Sequence, residues 1–305
     1  MPARRESSVL VFGDLALDIR GYSSLAASLE ITKPILAGDN ASCYLAVSSA
    51  LGGTAWNFAR AVKERSSSEP LIVATVGRDS VGHSIKAELR QLDVDTAFVA
   101  TAQHAPTSVI YSAYFAHGQR LLLQPAEHAN SELDPTWLCR SLNESSGSRR
   151  RKPIVLVWIS GYCLIEPSSR LDAVREACEW ARAQAIPIFV DLVPHAFLSA
   201  VGDLDVVERL IGPVAGVVAE TATVAELGLM PVGLEPKTGA EKVARTTGKT
   251  VIIQEQVDED VYAQGISQPR GQGELLSHRF APGELPGLGD HMAVMALTKL
   301  GFLLT

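Results

Sequence analysis

A chain of 305 residues, 47% of them hydrophobic, can bury a full core as one large α/β unit or two modest ones. With 27 Lys plus Arg against 34 Asp plus Glu, the net charge of −7 argues against a general nucleic-acid or membrane-surface binder. Cys43, Cys139, Cys163 and Cys178 lack CxxC or metal-ligand spacing, no apolar run reaches the length of a bilayer span, and the first apolar run is too short for a signal-peptide core. A reduced, cytoplasmic setting is expected.

Val9-Leu10-Val11-Phe12-Gly13 is a short apolar run closed by glycine, as a buried parallel strand would be. Asp14 and Asp18 follow where open α/β sheets collect ligands, so both are candidate acceptors for sugar hydroxyls. A turn-forming role is the alternative for Asp14. Between about Gly21 and Ser49 the helical period is absent and short stretches such as Ser42 to Val47 read as exposed strands. Gly52-Gly53 then opens an amphipathic helix through Val62. Asn57 lies in its first turns, able to face a ligand or to bond nearby backbone.

Leu71 to Gly77 reads as a second buried strand, and Asp79-Ser80-Val81-Gly82 opens a helix to about Leu92. Pro106 to Tyr111 and Arg120 to Leu123 flank His117-Gly118-Gln119 as a hairpin. Strands from about 19–50 and 105–125 together predict a small β lid. Asp134-Pro135 starts a helix. Beyond it, strands near 154–159, 186–190, 214–218 and 250–253 alternate with helices at 169–185, near Ala196 and Val206, from Thr221, and at 239–246. This predicts a central, mainly parallel sheet with helices on both faces, one domain over 1–305. The basic run Arg149-Arg150-Arg151-Lys152 reads as a solvated loop.

Near the end, Gly287-Leu288-Gly289-Asp290 leads into an apolar, Ala-rich run that reads as a buried helix. Amides at a helix start lack intrahelical partners and sit at the positive end of the dipole, where they can hold an anion. Asp290, among them, could take a proton from an alcohol; an ordinary N-terminal cap is the alternative.

In order and spacing these runs resemble the ribokinase-like, or PfkB, family of carbohydrate and nucleoside kinases. Gly13 to Asp18 is similar to its first-strand motif, Gly52 to Ala59 to its glycine-pair sugar motif, Gly77 to Gly82 to the junction that follows, Ala129-Asn130 to its AN pair, and Gly287 to Asp290 to its GAGD signature. Ile159 to Tyr162 and Asp191 to Pro194 also fall where the family has similar runs. The resemblance implies a ribokinase-like α/β fold with a β lid. It implies Asp290 as general base, with Gly287, Leu288 and Gly289 helping to form an anion hole. It implies Asp14, Asp18, Gly53, Asn57 and Asn130 around a sugar or nucleoside acceptor, and ATP with Mg²⁺ as donor. Exposed lid edges leave pairing into a homodimer open.

The nucleotide side departs from the family pattern. Glu284-Leu285-Pro286 stands where two threonines are expected. Glu220 and Thr223 occupy the places of an Asn-x-x-Glu motif, and Gln254 to Asp260 replace a Thr-x-Gly run. Fifteen residues follow Asp290, where the family continues with helices beside the adenine pocket. A carboxylate within ~4 Å of a phosphate oxygen is repelled by ~4 kcal/mol at an effective dielectric of about 20, unless a metal intervenes. Glu220, Thr223 and Gln254 are therefore the candidate nucleotide-side residues, with no dedicated metal-ligand set. Two functions stay open. One is ATP-dependent transfer to a primary hydroxyl of a sugar or nucleoside. The other is a ribokinase-fold protein that has lost that transfer, and binds a sugar or nucleoside or uses Asp290 for other acid-base chemistry. His291, directly after the base, is a candidate to tune or replace it.

Overall fold

The computed structural model describes residues 7–22, 46–114, 120–146, 152–165, 168–193, 204–258, 260–280 and 287–304. The fold is organised by β1 (Ser7–Phe12), buried along its whole length between β4 (Ser68–Val76) and β8 (Ile154–Ser160), both parallel to it. A strand covered on both faces needs the continuous apolar run seen at Val9 to Phe12. Alternate residues serve opposite cores. Leu10 and Phe12 pack under α3 (Pro135–Ser146), α4 (Ser169–Ala183), α5 (Leu204–Ile211) and α7 (Pro236–Thr247), while Val9 and Val11 pack under α1 (Thr54–Arg65), α2 (Ser80–Gln91) and α8 (Leu288–Lys299). Phe58 of α1 stacks on Trp158 of β8 with ring centroids 3.9 Å apart, closing the second core against the sheet.

The full sheet has nine strands in the order β13-β12-β11-β10-β9-β8-β1-β4-β5. The strands β5 (Val99–Thr101), β9 (Ile188–Leu192), β10 (Gly216–Glu220) and β11 (Thr250–Gln256) continue the parallel part, as the strand-helix alternation predicts. The short α6 (Thr221–Glu226) follows β10 directly. Two further strands, β12 (Val261–Ser267) and, at the edge, β13 (Glu274–Arg279), run antiparallel and were not expected. Neither carries an apolar run to announce it: β12 mixes polar with apolar residues, and β13 is charge-bearing and exposed or half-exposed along its length. Where the family has a Thr-x-Gly run, Gln254 to Gln256 complete β11, and Val257 N donates to Val261 O at 2.9 Å at the start of β12.

The lid is a four-stranded sheet, β3 (Ala46–Gly52), β2 (Ala16–Tyr22), β6 (Ser108–Tyr114) and β7 (Arg120–Leu123), in the order β3-β2-β6-β7. Residues 23–45 of the first expected lid segment, the hairpin turn at 115–119, the expected helix near Ala196 and the Glu284-Leu285-Pro286 stretch lie outside the described residues. Asp79 ties the lid to the body. Its carboxylate accepts Gly82 N at 2.8 Å, capping α2, and Thr107 N and Oγ1 at 2.7 Å, just before β6. Burial raises the proton affinity of Asp79, but hydrogen bonds from Thr107 and Gly82 outweigh it and hold the carboxyl below the usual range. Among the described residues no helix is long and apolar enough to cross a membrane.

Candidate active site

The glycine turn near the C-terminus is the hub. Gly287 caps α8 in the left-handed conformation, φ 85° and ψ 27°, where a side chain is strained. A Cβ there would lie 2.9 Å from Asn57 Cβ and 3.2 Å from Asp290 Oδ2, so the missing side chain lets α1 and the first turn of α8 meet. His291 N donates to Gly287 O at 3.1 Å, the first bond of the helix. The preceding amides of Leu288, Gly289 and Asp290 have no intrahelical partner. Gln254, at the end of β11, braces the turn by donating Nε2 to Gly289 O at 2.9 Å.

On the lid side, the carboxyl of Asp18 lies over Gly52, where a Cβ would fall 2.2 Å from Asp18 Cγ, and Arg20 pairs with it at 3.1 Å. Gly53 opens α1, and Asn57 follows with its amide N donating to Gly53 O at 3.0 Å. Among the described residues, buried Asn57 Oδ1 has no hydrogen-bond partner, an acceptor held ready beside Asp290.

Two residues expected on the acceptor are engaged elsewhere. The Asp14 carboxylate pairs with Arg170 of α4, whose other guanidinium nitrogen donates to Tyr162 O at 2.8 Å. Asn130 is 1% exposed: its oxygen accepts Leu15 N at 3.1 Å and its nitrogen donates to Leu15 O at 3.0 Å. It splints the turn from β1 into the lid from beneath, and does not face the cleft. Asn130→Ala would strand two buried backbone groups, and a loss of about 2–4 kcal/mol in denaturant unfolding is expected.

On the other side of the glycine turn, a cleft of about 440 Å³ runs along the ends of β10 and β11, lined by Glu220, Thr221, Gln254, Glu255, Tyr262 and Gly289 among others. That volume suits a small ligand. Among the described residues, none that lines it is basic. Thr223 does not line the cleft; it is fully buried on the inner face of α6, its hydroxyl without a hydrogen-bond partner among the described residues.

Burial pushes the Asp290 carboxyl well above the usual carboxylate range. Asp191 adds to the rise and Arg60 opposes it. Asp191, at the end of β9, is itself pushed up to about 7, by burial first and then by Glu220. Its neighbour in register is Ser160, whose buried hydroxyl has no hydrogen-bond partner among the described residues. Asp191 and Arg60 were not singled out from the sequence. Asp191 stood inside a recognised run, but its approach to Asp290 depends on strand order. Arg60 follows Asn57 by three positions, the spacing that puts both on one face of α1. His291, a candidate to replace the base, is instead 1% exposed between α8 and α1, its Nε2 3.8 Å from Glu64 Oε2.

A mainly parallel nine-stranded sheet covered by helices on both faces, a four-stranded lid, and a glycine turn at a helix start define a ribokinase-like α/β protein. The profile of the pfkB family of carbohydrate kinases matches residues 9–257, and the chain belongs to that family. The family's chemistry, in general form, is phosphoryl transfer to a sugar or nucleoside. No curated protein matches the sequence. Among solved structures, the chain is similar to Anopheles gambiae adenosine kinase in complex with P1,P4-di(adenosine-5) tetraphosphate. That match has 14% identity and a TM-score of 0.69, covering 97% of this chain and 90% of the other. Giardia lamblia ribokinase matches at 17% identity and TM-score 0.68, covering 96% and 85%. Halothermothrix orenii fructokinase matches at 17% and 0.64, covering 96% and 92%. At these identities the likeness is one of fold.

Proposed function

We propose that the chain transfers the γ-phosphoryl group of ATP to a primary hydroxyl of a sugar or nucleoside, with Asp290 as the proton acceptor. The observation that carries this reading is the glycine turn. It brings Asn57 and the Asp290 carboxyl together at the start of α8, and Gly289 of the same turn lines the 440 Å³ cleft. The acceptor's hydroxyls would bond to Asp18 and Asn57, and the reacting hydroxyl would give its proton to Asp290. Raised proton affinity suits a proton acceptor. The amides of Leu288, Gly289 and Asp290 would steady the group in transfer.

The cleft fits a nucleoside in size, but Glu220 and Glu255 oppose a bare polyphosphate. It fits a nucleotide that carries Mg²⁺. Among the described residues no group of three or more His, Cys, Asp or Glu is arranged to hold a metal alone, so the ion would arrive on the nucleotide and meet Glu220 and Asp191. When bound, it supplies charge neutralisation. Calorimetry with ATP tests this: heat of binding is expected with Mg²⁺ and should vanish on chelation. Glu220→Gln is expected to tighten metal-free ATP by about tenfold, equivalent to ~1.4 kcal/mol.

The acid-lined cleft favours a second reading, a family member that binds a sugar or nucleoside without using ATP. Acceptor binding with no heat from any nucleotide would select it.

A further inference from the structure

Gln254 is the last buried residue of β11, 7% exposed, and its side chain is presented from a strand inside the sheet rather than from a loop. It pairs in register with Glu220 of β10 on one side and Gln264 of β12 on the other, and its carbonyl accepts Thr221 Oγ1 at 3.3 Å. A side chain carried on a ladder held from both sides is placed more precisely than one on a loop. Its Nε2 donates to Gly289 O at 2.9 Å. Apart from the backbone of its own helix and its chain neighbours, a Cβ on Gly289 would meet a single heavy atom within 4 Å among the described residues. That atom is Gln254 Oε1, at 3.0 Å, so this amide is the support of the turn on that side. Gln254 and Gly289 both line the 440 Å³ cleft.

We infer that Gln254 is a positioning residue for the anion hole, acting on the backbone amide of Asp290 through the peptide bond that joins Gly289 to Asp290. Gly289 O and Asp290 N–H belong to one planar unit and point in opposite directions. A donor fixed on the oxygen therefore fixes where the N–H points. It also polarises the unit, since a carbonyl that accepts a hydrogen bond leaves its N–H a stronger donor, by about 10–30% per bond. The Asp290 amide is one of the free amides at the start of α8, so the effect falls on the group in transfer although Gln254 does not touch it. The wall of the cleft and the amides beside the base thus form one hydrogen-bonded unit. Any side chain of this length could fill the space; the Gly289 carbonyl needs the donor.

The inference rests on the glycine turn holding an anion, as the proposed transfer requires, but its test does not need the reaction. Protein carrying ¹³C at glycine carbonyls and ¹⁵N at aspartate amides shows only Gly–Asp peptides in a carbonyl–amide correlation spectrum, and the Gly289–Asp290 signal is the one lost in Asp290→Asn. Gln254→Met keeps the length of the side chain without the donor. It is expected to move that signal upfield in carbon and proton while the other Gly–Asp signals stay in place. Inorganic phosphate titrated into wild type is expected to shift the same signal, and Gln254→Met to weaken the phosphate affinity by about fivefold. A Gly289–Asp290 signal unmoved by Gln254→Met, no response to phosphate in wild type, or equal phosphate affinity in the two proteins overturns the inference. Should Gln254→Met not fold, Gln254→Asn, neutral and a methylene shorter, decides by the same two readings. A wild-type chain that holds phosphate at the turn yet transfers none to any acceptor would sink the kinase reading and leave this inference standing.

Discussion

Asp290→Asn is expected to lower turnover by about 10²- to 10⁴-fold while leaving acceptor affinity nearly unchanged. The substitution keeps size and shape at the start of α8, so the glycine turn and its contact with Asn57 should persist. What it removes is the carboxylate beside the turn that is proposed to take the hydroxyl's proton. The same change should alter stability in a pH-dependent way, with a sign fixed by the direction of the shifts. In the unfolded chain Asp191 and Asp290 both ionise near 3.8; folding raises Asp290 well above that and Asp191 to about 7. The native state therefore holds more protons across this window, and these groups make stability fall as pH rises through it. Asp290→Asn should accordingly melt at a higher temperature than wild type at pH 8, with the difference disappearing near pH 4. A fully active Asn variant would remove Asp290 from the chemistry. Equal melting at both pH values would remove the buried-charge account of its environment.

Gly53→Ala is expected to destabilise the fold by roughly 2–6 kcal/mol, the sum of backbone strain and overpacking. Gly53 has φ 92° and ψ 156°, a region open essentially to glycine alone. A Cβ would fall 2.2 Å from Asp14 O and 2.7 Å from Asp14 C. Both are backbone atoms, and Asp14 O is already held by Ala55 N at 3.1 Å, so the neighbour has nowhere to go. Because Gly53 starts the helix bearing Asn57, any relief by backbone shift would move Asn57 from Asp290 and lower activity as well. Urea unfolding gives the number; a change under about 0.5 kcal/mol, the size of an ordinary surface substitution, would mean that this junction is looser than described.

The parallel half of the sheet was legible because buried strands read as nearly continuous apolar runs, as in Val9 to Phe12 and, with Thr75 alone polar, Leu71 to Val76. β12 and β13 were not, since β12 mixes polar with apolar residues and β13, at the edge, faces water and needs no such run. The glycine turn could be read because positive φ and close helix approach both demand glycine at Gly287. The partners of Asp290 could not, for Arg60 and Asp191 reach it only through helix packing and strand order. Asn130 shows the reverse limit: a residue type suited to hydroxyls was in the expected run, but its amide turned to the backbone of Leu15. His291 was noticed for its position in the chain, while its side chain is carried round α8 to Glu64.

The most direct measurement is transfer of labelled γ-phosphate from ATP and Mg²⁺ to a panel of sugars and nucleosides by the purified wild-type chain. The account predicts label on a primary hydroxyl of at least one acceptor, lost on chelation of the metal. An acceptor that binds yet never receives label, under any metal or nucleotide concentration, would contradict it.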